Sequence, residues 1–96
     1  MYASLTTFKT TPGKRAEAEK VANQLFLTIK SMKGFKSVVY FGDSDNNEYG
    51  SLYTWETKED LETAYSSVLP KLTELIGPIA AEPPVRRVYE VYEPKV

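Results

Sequence analysis

Tyr65 is the side chain best placed to do chemistry in this 96-residue sequence. It falls on the apolar stripe of an amphipathic segment, where a phenol either packs or serves as a hydrogen-bonding, proton-handling group. Tyr53 and Trp55 share one parity of an alternating segment, so both project to the same side. Together they can stack on a flat aromatic ligand while donating an O–H or N–H to it. With seven tyrosines in the sequence, packing at a subunit interface, where Tyr is common, is an equal alternative. Arg86 and Arg87 are adjacent and must point to opposite faces of a strand. One could meet an enolate or carboxylate, as arginines do at oxyanion sites; the expected reading is a solvated charge or a partner for one of the thirteen acids. Asp43, Asp45 and Asn47 imitate the start of a calcium loop, but Glu48 stands where its glycine must be and Thr54 where its glutamate must be, so the segment reads as a hairpin turn.

Composition excludes more than it grants. The sequence has no His and no Cys, which removes the usual general base, the commonest metal and haem ligands, thiolate nucleophiles and disulfides. The expectation is a site with no metal and no cofactor. Twelve Lys and Arg against thirteen Asp and Glu leave a net charge of −1, so no nucleic acid and no membrane surface is expected as a partner. The opening MYASLTTFKTTPGK lacks the basic start and apolar centre of a signal peptide, and no apolar run reaches membrane-spanning length. A cytoplasmic protein is expected, with residues 1–96 forming one domain.

These side chains need elements to hold them. Residues 2–9 alternate as a first strand, with Tyr2, Ser4, Thr6 and Phe8 on one parity. Thr11 and Pro12 mark the entry to a helix. Val21, Ala22, Leu25, Ile29 and Met32 form its buried stripe, and Gly34 ends it. Residues 35–42 have strand composition, residues 43–48 are a turn cluster, and Tyr49 to Glu56 alternate as a third strand, which makes a hairpin. Thr57 is an N-cap with Asp60 three residues on, in the capping-box spacing. The second helix runs through Leu61, Ala64, Tyr65, Val68, Leu72 and Ile76, with Pro70 expected to kink it or start a second short helix. Residues 77–85 read as extended loop and residues 86–93 as a last strand.

The order β-α-β-β-α-β predicts an α+β, ferredoxin-like fold: a four-stranded antiparallel sheet with both helices on one face. Both parities of the outer strands carry apolar groups. Tyr2 and Phe8 oppose Ala3 and Leu5, and Val88 and Tyr92 oppose Tyr89 and Val91, so the face away from the helices is expected to be covered by a second copy. RNA-recognition domains share the element order, and Tyr49-Gly50 faintly echoes their aromatic motif. Ser51 and Thr54 break the echo, and the charge balance lacks the electrostatic term that nucleic-acid binding needs.

Pro12-Gly13-Lys14 after the first strand, Gly34-Phe35 at the first helix exit, and Trp55-Glu56-Thr57-Lys58-Glu59 at the strand-three to helix-two junction give the chain a resemblance to the antibiotic biosynthesis monooxygenase family. That family comprises dimeric α/β barrels that pair through their sheets. The resemblance implies a homodimer, a pocket between sheet and helices, and in some members oxygenation of electron-rich aromatics without metal or flavin. It implies Ser4, Thr6 and Phe8 as pocket-facing residues of strand one, alongside Tyr53 and Trp55, with local hydrogen bonding as the plainer role of the two hydroxyls. The chain departs from the family in having Ala64 where a histidine often follows the strand-three tryptophan, which turns attention to Tyr65. Thr6 stands in the strand that offers an asparagine in haem-degrading members, and neither a later tryptophan nor a histidine exists, so haem degradation is not expected. The functional expectation is a cofactor-independent monooxygenase binding a small aromatic or quinol-type molecule. Its alternative is a non-catalytic dimeric module of the same fold.

Overall fold

Alternating β-branched and aromatic residues form the sheet, and stripes of apolar residues at steps of three and four form the helices that cover it. The structure, a computed structural model, describes residues 1–92 and 94. The elements run β1 (Tyr2–Lys9), α1 (Arg15–Ile29), β2 (Phe35–Asp43), β3 (Glu48–Trp55), α2 (Lys58–Ile76) and β4 (Val85–Glu90). The four strands form one sheet in the order β2-β3-β1-β4, with every neighbouring pair antiparallel. In β1, Ser4 lies opposite Tyr53 on one side and Val88 on the other. The hydrophobic core fills the space between this sheet and the two helices, with Trp55 and Leu61 among its most buried members.

The stripe of α1 buries Ala18, Val21, Leu25 and Ile29. Its ends differ from the expected ones. Thr11 and Pro12 belong to a turn that Gly13 completes with φ 77°, and the helix starts only at Arg15. A positive φ cannot be part of a right-handed helix, so the entry moves beyond the glycine. At the other end Met32 and Gly34 lie past Ile29. Met32 N–H donates to the Ile29 carbonyl at 2.9 Å and Phe35 N–H to the Met32 carbonyl at 3.2 Å, a pair of turns that leads into β2. Gly34, at φ 83°, reverses the chain there.

Helix α2 begins as its sequence predicts. Thr57 is extended, at φ −132° and ψ 161°, and its hydroxyl accepts the Asp60 N–H at 3.0 Å. Pro70 does not divide the helix, which continues to Ile76 as one element. The proline ring faces solvent, and the exposed Ser66 carbonyl that loses its helical donor can turn to water. Strand β4 is shorter than the span 86–93: it stops at Glu90, after which Val91 N–H donates to the Met1 carbonyl at 3.0 Å. Glu93 lies outside the described residues.

A knot of main-chain bonds closes the end of β1. Thr10 N–H donates to the Asn47 carbonyl at 2.8 Å and Thr11 N–H to the Ile79 carbonyl at 3.1 Å, while Ala81 N–H donates to the Lys9 carbonyl at 2.7 Å. The hairpin turn and the exit of α2 are thereby fastened to one point. On the sheet face away from the helices, Val39, Phe41, Val85 and Tyr89 are between 42% and 60% exposed. Their registers place them opposite or beside Leu52, Gly50, Thr7 and Ala3, all of the parity that Tyr53 and Trp55 do not occupy.

Candidate functional site

The groove between sheet and helices holds two neighbouring cavities. The inner one, ≈ 60 Å³, is lined by Ser4, Thr6, Tyr53, Trp55 and Tyr65 together with apolar residues of the helices. The outer one, ≈ 200 Å³, is lined by Thr6, Phe8, Tyr40, Tyr49, Val21 and Leu72 among others, with Arg15 and Glu19 at its margin. Thr6, Leu25, Ser51 and Leu72 border both cavities. Of the six pocket residues expected from sequence, Ser4, Thr6, Phe8, Tyr53, Trp55 and Tyr65, Phe8 alone stands apart from the inner cavity, and its ring lies beside Tyr49 with centroids 6.4 Å apart.

The strand pleat explains the gathering. Ser4, Thr6 and Phe8 alternate along β1, and Tyr53 and Ser51 lie opposite the first two on β3, so one face presents hydroxyls and rings together. Ser4 is buried at 8% exposure and Thr6 is half-buried. Among the described residues the protein supplies neither hydroxyl with a hydrogen-bond partner. Buried hydroxyls are generally partnered, and these two border a cavity instead.

Tyr53 and Trp55 are both buried on the helix side of the sheet, away from its open face. Their rings stack at 6.3 Å with 24° between planes, and Phe35 meets both edge-on, at 6.1 and 5.8 Å. Such edge and offset geometries are the favourable ones for aromatic pairs. Each ring therefore offers the cavity a wall already braced by its neighbours.

Arg86 is the partner of an acid rather than a solvated charge. It lies opposite Thr6 and projects towards α2, with its side chain only 20% exposed. Its Nη2 donates to Glu62 Oε1 at 2.9 Å, and its guanidinium carbon sits 3.8 Å from the centroid of the Tyr65 ring. That distance is well inside the range of a cation–π contact. Its Nε is buried with no hydrogen-bond partner among the described residues. Arg87, by contrast, is exposed on the open face. Tyr65 thus lines the inner cavity while carrying over its ring a cation that Glu62 also holds.

Tyr40 was legible only as strand composition, yet it occupies the boundary of the site. Its hydroxyl hydrogen-bonds the Tyr53 hydroxyl, and the two rings meet at right angles with centroids 5.7 Å apart. Counting back across the 43–48 turn would have found it. Tyr40 pairs with Ser51, which puts it diagonal to Tyr53 on the same face. Burial pushes the Tyr40 phenol above its ordinary value of 10.0, because a phenolate there would lose its hydration. A raised folded-state value means that stability is complete below pH ~10, where the unfolded chain begins to ionise, and declines as pH rises towards the folded value. Tyr40→Phe is expected to flatten the alkaline fall of the melting temperature between pH 9.5 and 11.5. An unchanged slope would show that the phenol ionises freely in the folded protein.

The acidic turn has no metal geometry. The Asp43 carboxylate is occupied by the backbone N–H and side-chain amide of Asn46, at 3.3 and 2.7 Å, and these donors hold Asp43 below the usual carboxylate range. Asn47 at φ 53° completes the turn. No helix of the described residues is long and apolar enough to cross a membrane.

No sequence-family profile matches the chain, and no curated protein matches it in sequence. Solved structures do match in shape. A candidate antibiotic biosynthesis monooxygenase from Nitrosomonas europaea has a TM-score of 0.82 at 12% identity, covering 97% of this chain and 100% of that one. SnoaB, a cofactor-independent oxygenase from Streptomyces nogalater, has a TM-score of 0.79 at 14% identity, covering 97% of this chain and 94% of SnoaB. NE2512, a Nitrosomonas europaea protein of unknown function, has a TM-score of 0.83 at 11% identity, covering 99% and 92% respectively. At such identities the likeness is one of fold, since one fold hosts many functions. Over nearly its whole length the chain shares the fold of the antibiotic biosynthesis monooxygenase structures, as its strand, helix and junction motifs imply.

Proposed function

We propose that the protein is a cytoplasmic, homodimeric monooxygenase-like domain that binds a small aromatic or quinol-type molecule in its groove and oxygenates it without a cofactor. The observation that carries the reading is the inner cavity, where the hydroxyls of Ser4, Thr6 and Tyr65 meet the aromatic walls of Tyr53 and Trp55. Phe8 extends the aromatic wall into the outer cavity. Both cavities are smaller than the ~300–1,000 Å³ of a drug-sized site, so the ligand has one or two rings rather than a long polycyclic skeleton. The solved structures of this fold include an oxygenase that works without a cofactor, which supports the chemistry as a precedent of fold.

The protein's task in such a reaction is small. An electron-rich phenolic or quinol-type substrate reacts with dioxygen once deprotonated. Where the substrate ring carries an activated CH₂, both of its C–H bonds break, one oxygen atom becomes the carbonyl oxygen and the other leaves as water with the two hydrogens, the four electrons that reduce dioxygen all coming from that carbon. The groove excludes water and holds the ring. Tyr65, with Arg86 over its ring, takes the proton-handling role, and Ser4 and Thr6 are further polar contacts for the substrate. The second copy covers Val39, Phe41, Val85 and Tyr89 on the open face, since an apolar patch of that kind on a two-fold axis can bury itself against its own image.

A second reading, a dimeric binding module without turnover, draws on the inner cavity's ≈ 60 Å³, which leaves Tyr65 room for little more than a substituent. Native mass spectra followed by oxygen-uptake assays over one- and two-ring quinols, catechols and phenols with an activated CH₂ separate the two. A dimer that consumes oxygen faster than buffer alone, and loses the excess in Tyr65→Phe, is the expected result. A dimer with retained ligand and no excess uptake would establish the binding module, and a monomer would remove the assembly.

A further inference from the structure

We infer that the paired hydroxyls of Tyr40 and Tyr53 are the polar anchor of the groove, selecting an uncharged one- or two-ring aromatic that carries a hydroxyl or carbonyl oxygen. The inference rests on the groove being the binding site proposed above. Tyr40 lines the outer cavity and Tyr53 the inner one, so their contact stands at the partition between the two. Two phenols carry two protons, and their mutual bond uses one. Among the described residues neither hydroxyl has another partner, which leaves one O–H to donate into the cavity.

The surroundings define what that proton meets. Around Tyr40 the outer cavity is walled by Phe8, Val21, Leu25 and Leu72. The charged residues lining the two cavities are Arg15 and Glu19. These pair with each other at 3.4 Å with side chains 66% and 64% exposed, so their charges are spent at the rim. An ionised ligand would lose its hydration in the outer cavity without gaining a counter-charge there, whereas a neutral oxygen needs only the one donor. Burial keeps the Tyr40 phenol protonated through the neutral range, so the donor is always present. The anchor also fixes orientation: the ligand's oxygen points at the partition and its ring lies along Phe8 and Tyr49.

Calorimetric titration of the dimer with naphthalene, 1-naphthol and 1-naphthoate tests this. The unaltered protein is expected to bind 1-naphthol about fivefold more tightly than naphthalene, the effect of one neutral hydrogen bond, and to bind 1-naphthoate more weakly than 1-naphthol. In the double variant Tyr40→Phe/Tyr53→Phe the ratio of naphthol to naphthalene affinity falls to about one, whereas Tyr40→Phe alone leaves the Tyr53 O–H free to donate and keeps part of the preference. Circular dichroism confirms that each variant is folded, and removal of a hydroxyl alone leaves the ring packing in place. A naphthol preference that survives in the double variant overturns the anchor while leaving the groove as the binding site. If neither naphthalene nor naphthol binds the unaltered protein, the groove reading itself falls, and the anchor with it.

Discussion

Trp55→Ala is expected to lower the unfolding free energy by ~4 kcal/mol, in the range of large aromatic truncations in cores. Trp55 is 3% exposed, braced by Phe35 and stacked on Tyr53, and it ends the central strand β3 next to the cap of α2. The space vacated adjoins the inner cavity. The surrounding strands are pinned by their ladders, so the void enlarges rather than closes. For a domain of this size the melting temperature should fall by roughly 15–25 °C, read by circular dichroism because the lone tryptophan reporter is gone. A loss below ~1.5 kcal/mol would show that Tyr53 and Phe35 collapse into the gap, and hence that the cavity walls are soft.

Gly34→Ala should cost about 2–3 kcal/mol, and Gly13→Ala only ~1 kcal/mol, although the two glycines have nearly the same backbone, at φ 83° and 77°. A Cβ on Gly13 meets nothing within 4 Å, so its penalty is the left-handed conformation alone. A Cβ on Gly34 would press into the Asp60 carboxylate and come 2.7 Å from the Asp60 Cβ. Asp60 cannot retreat easily, because its backbone N–H is held by the Thr57 hydroxyl and it belongs to the first turn of α2. Glu56 N–H also donates to the Gly34 carbonyl at 2.8 Å, so any shift is felt at the end of β3. Chemical denaturation of both variants measures the difference. Equal penalties would mean that the junction between the two β–α halves yields, and that Gly34 is there for its backbone alone.

Much of the architecture could be read before any coordinates, because its signals are local. Tyr2 to Lys9 alternates without interruption, and β1 has those bounds. Thr57 has the side chain, the spacing to Asp60 and the preceding strand that a helix start requires, and it caps α2. The errors came where local signals compete. Pro12 favours a helix start, but Gly13 takes a positive φ and delays it to Arg15. Pro70 disfavours a helix interior, but Leu72 and Ile76 bury enough surface on the far side to carry α2 past it. The candidate site depends on register, which one strand cannot reveal. Ser4, Thr6, Tyr53, Trp55 and Tyr65 share a cavity because β1, β3 and α2 converge, and the resemblance supplied that convergence. Tyr40 and the placement of Arg86 over Tyr65 needed the β2–β3 and β1–β4 registers, which come from pairings far apart in the chain.

The position of β1 has a consequence for how the protein is made. Of the four strands this one is synthesised before the others yet lies second from one edge of the sheet, with β4, made after the other three, as its outer neighbour. At ~5–20 residues per second, β1 can wait several seconds with its second edge bare after β3 has paired with the first. An unpaired, apolar edge is a template for the same edge on another nascent chain. The adjacent threonines, Thr6 and Thr7, and the closing Lys9 temper that edge with polar groups. Crowded polysomes translating this sequence should therefore be more prone to co-translational association than the finished protein is to aggregation, and slow codons after β3 would widen the vulnerable interval.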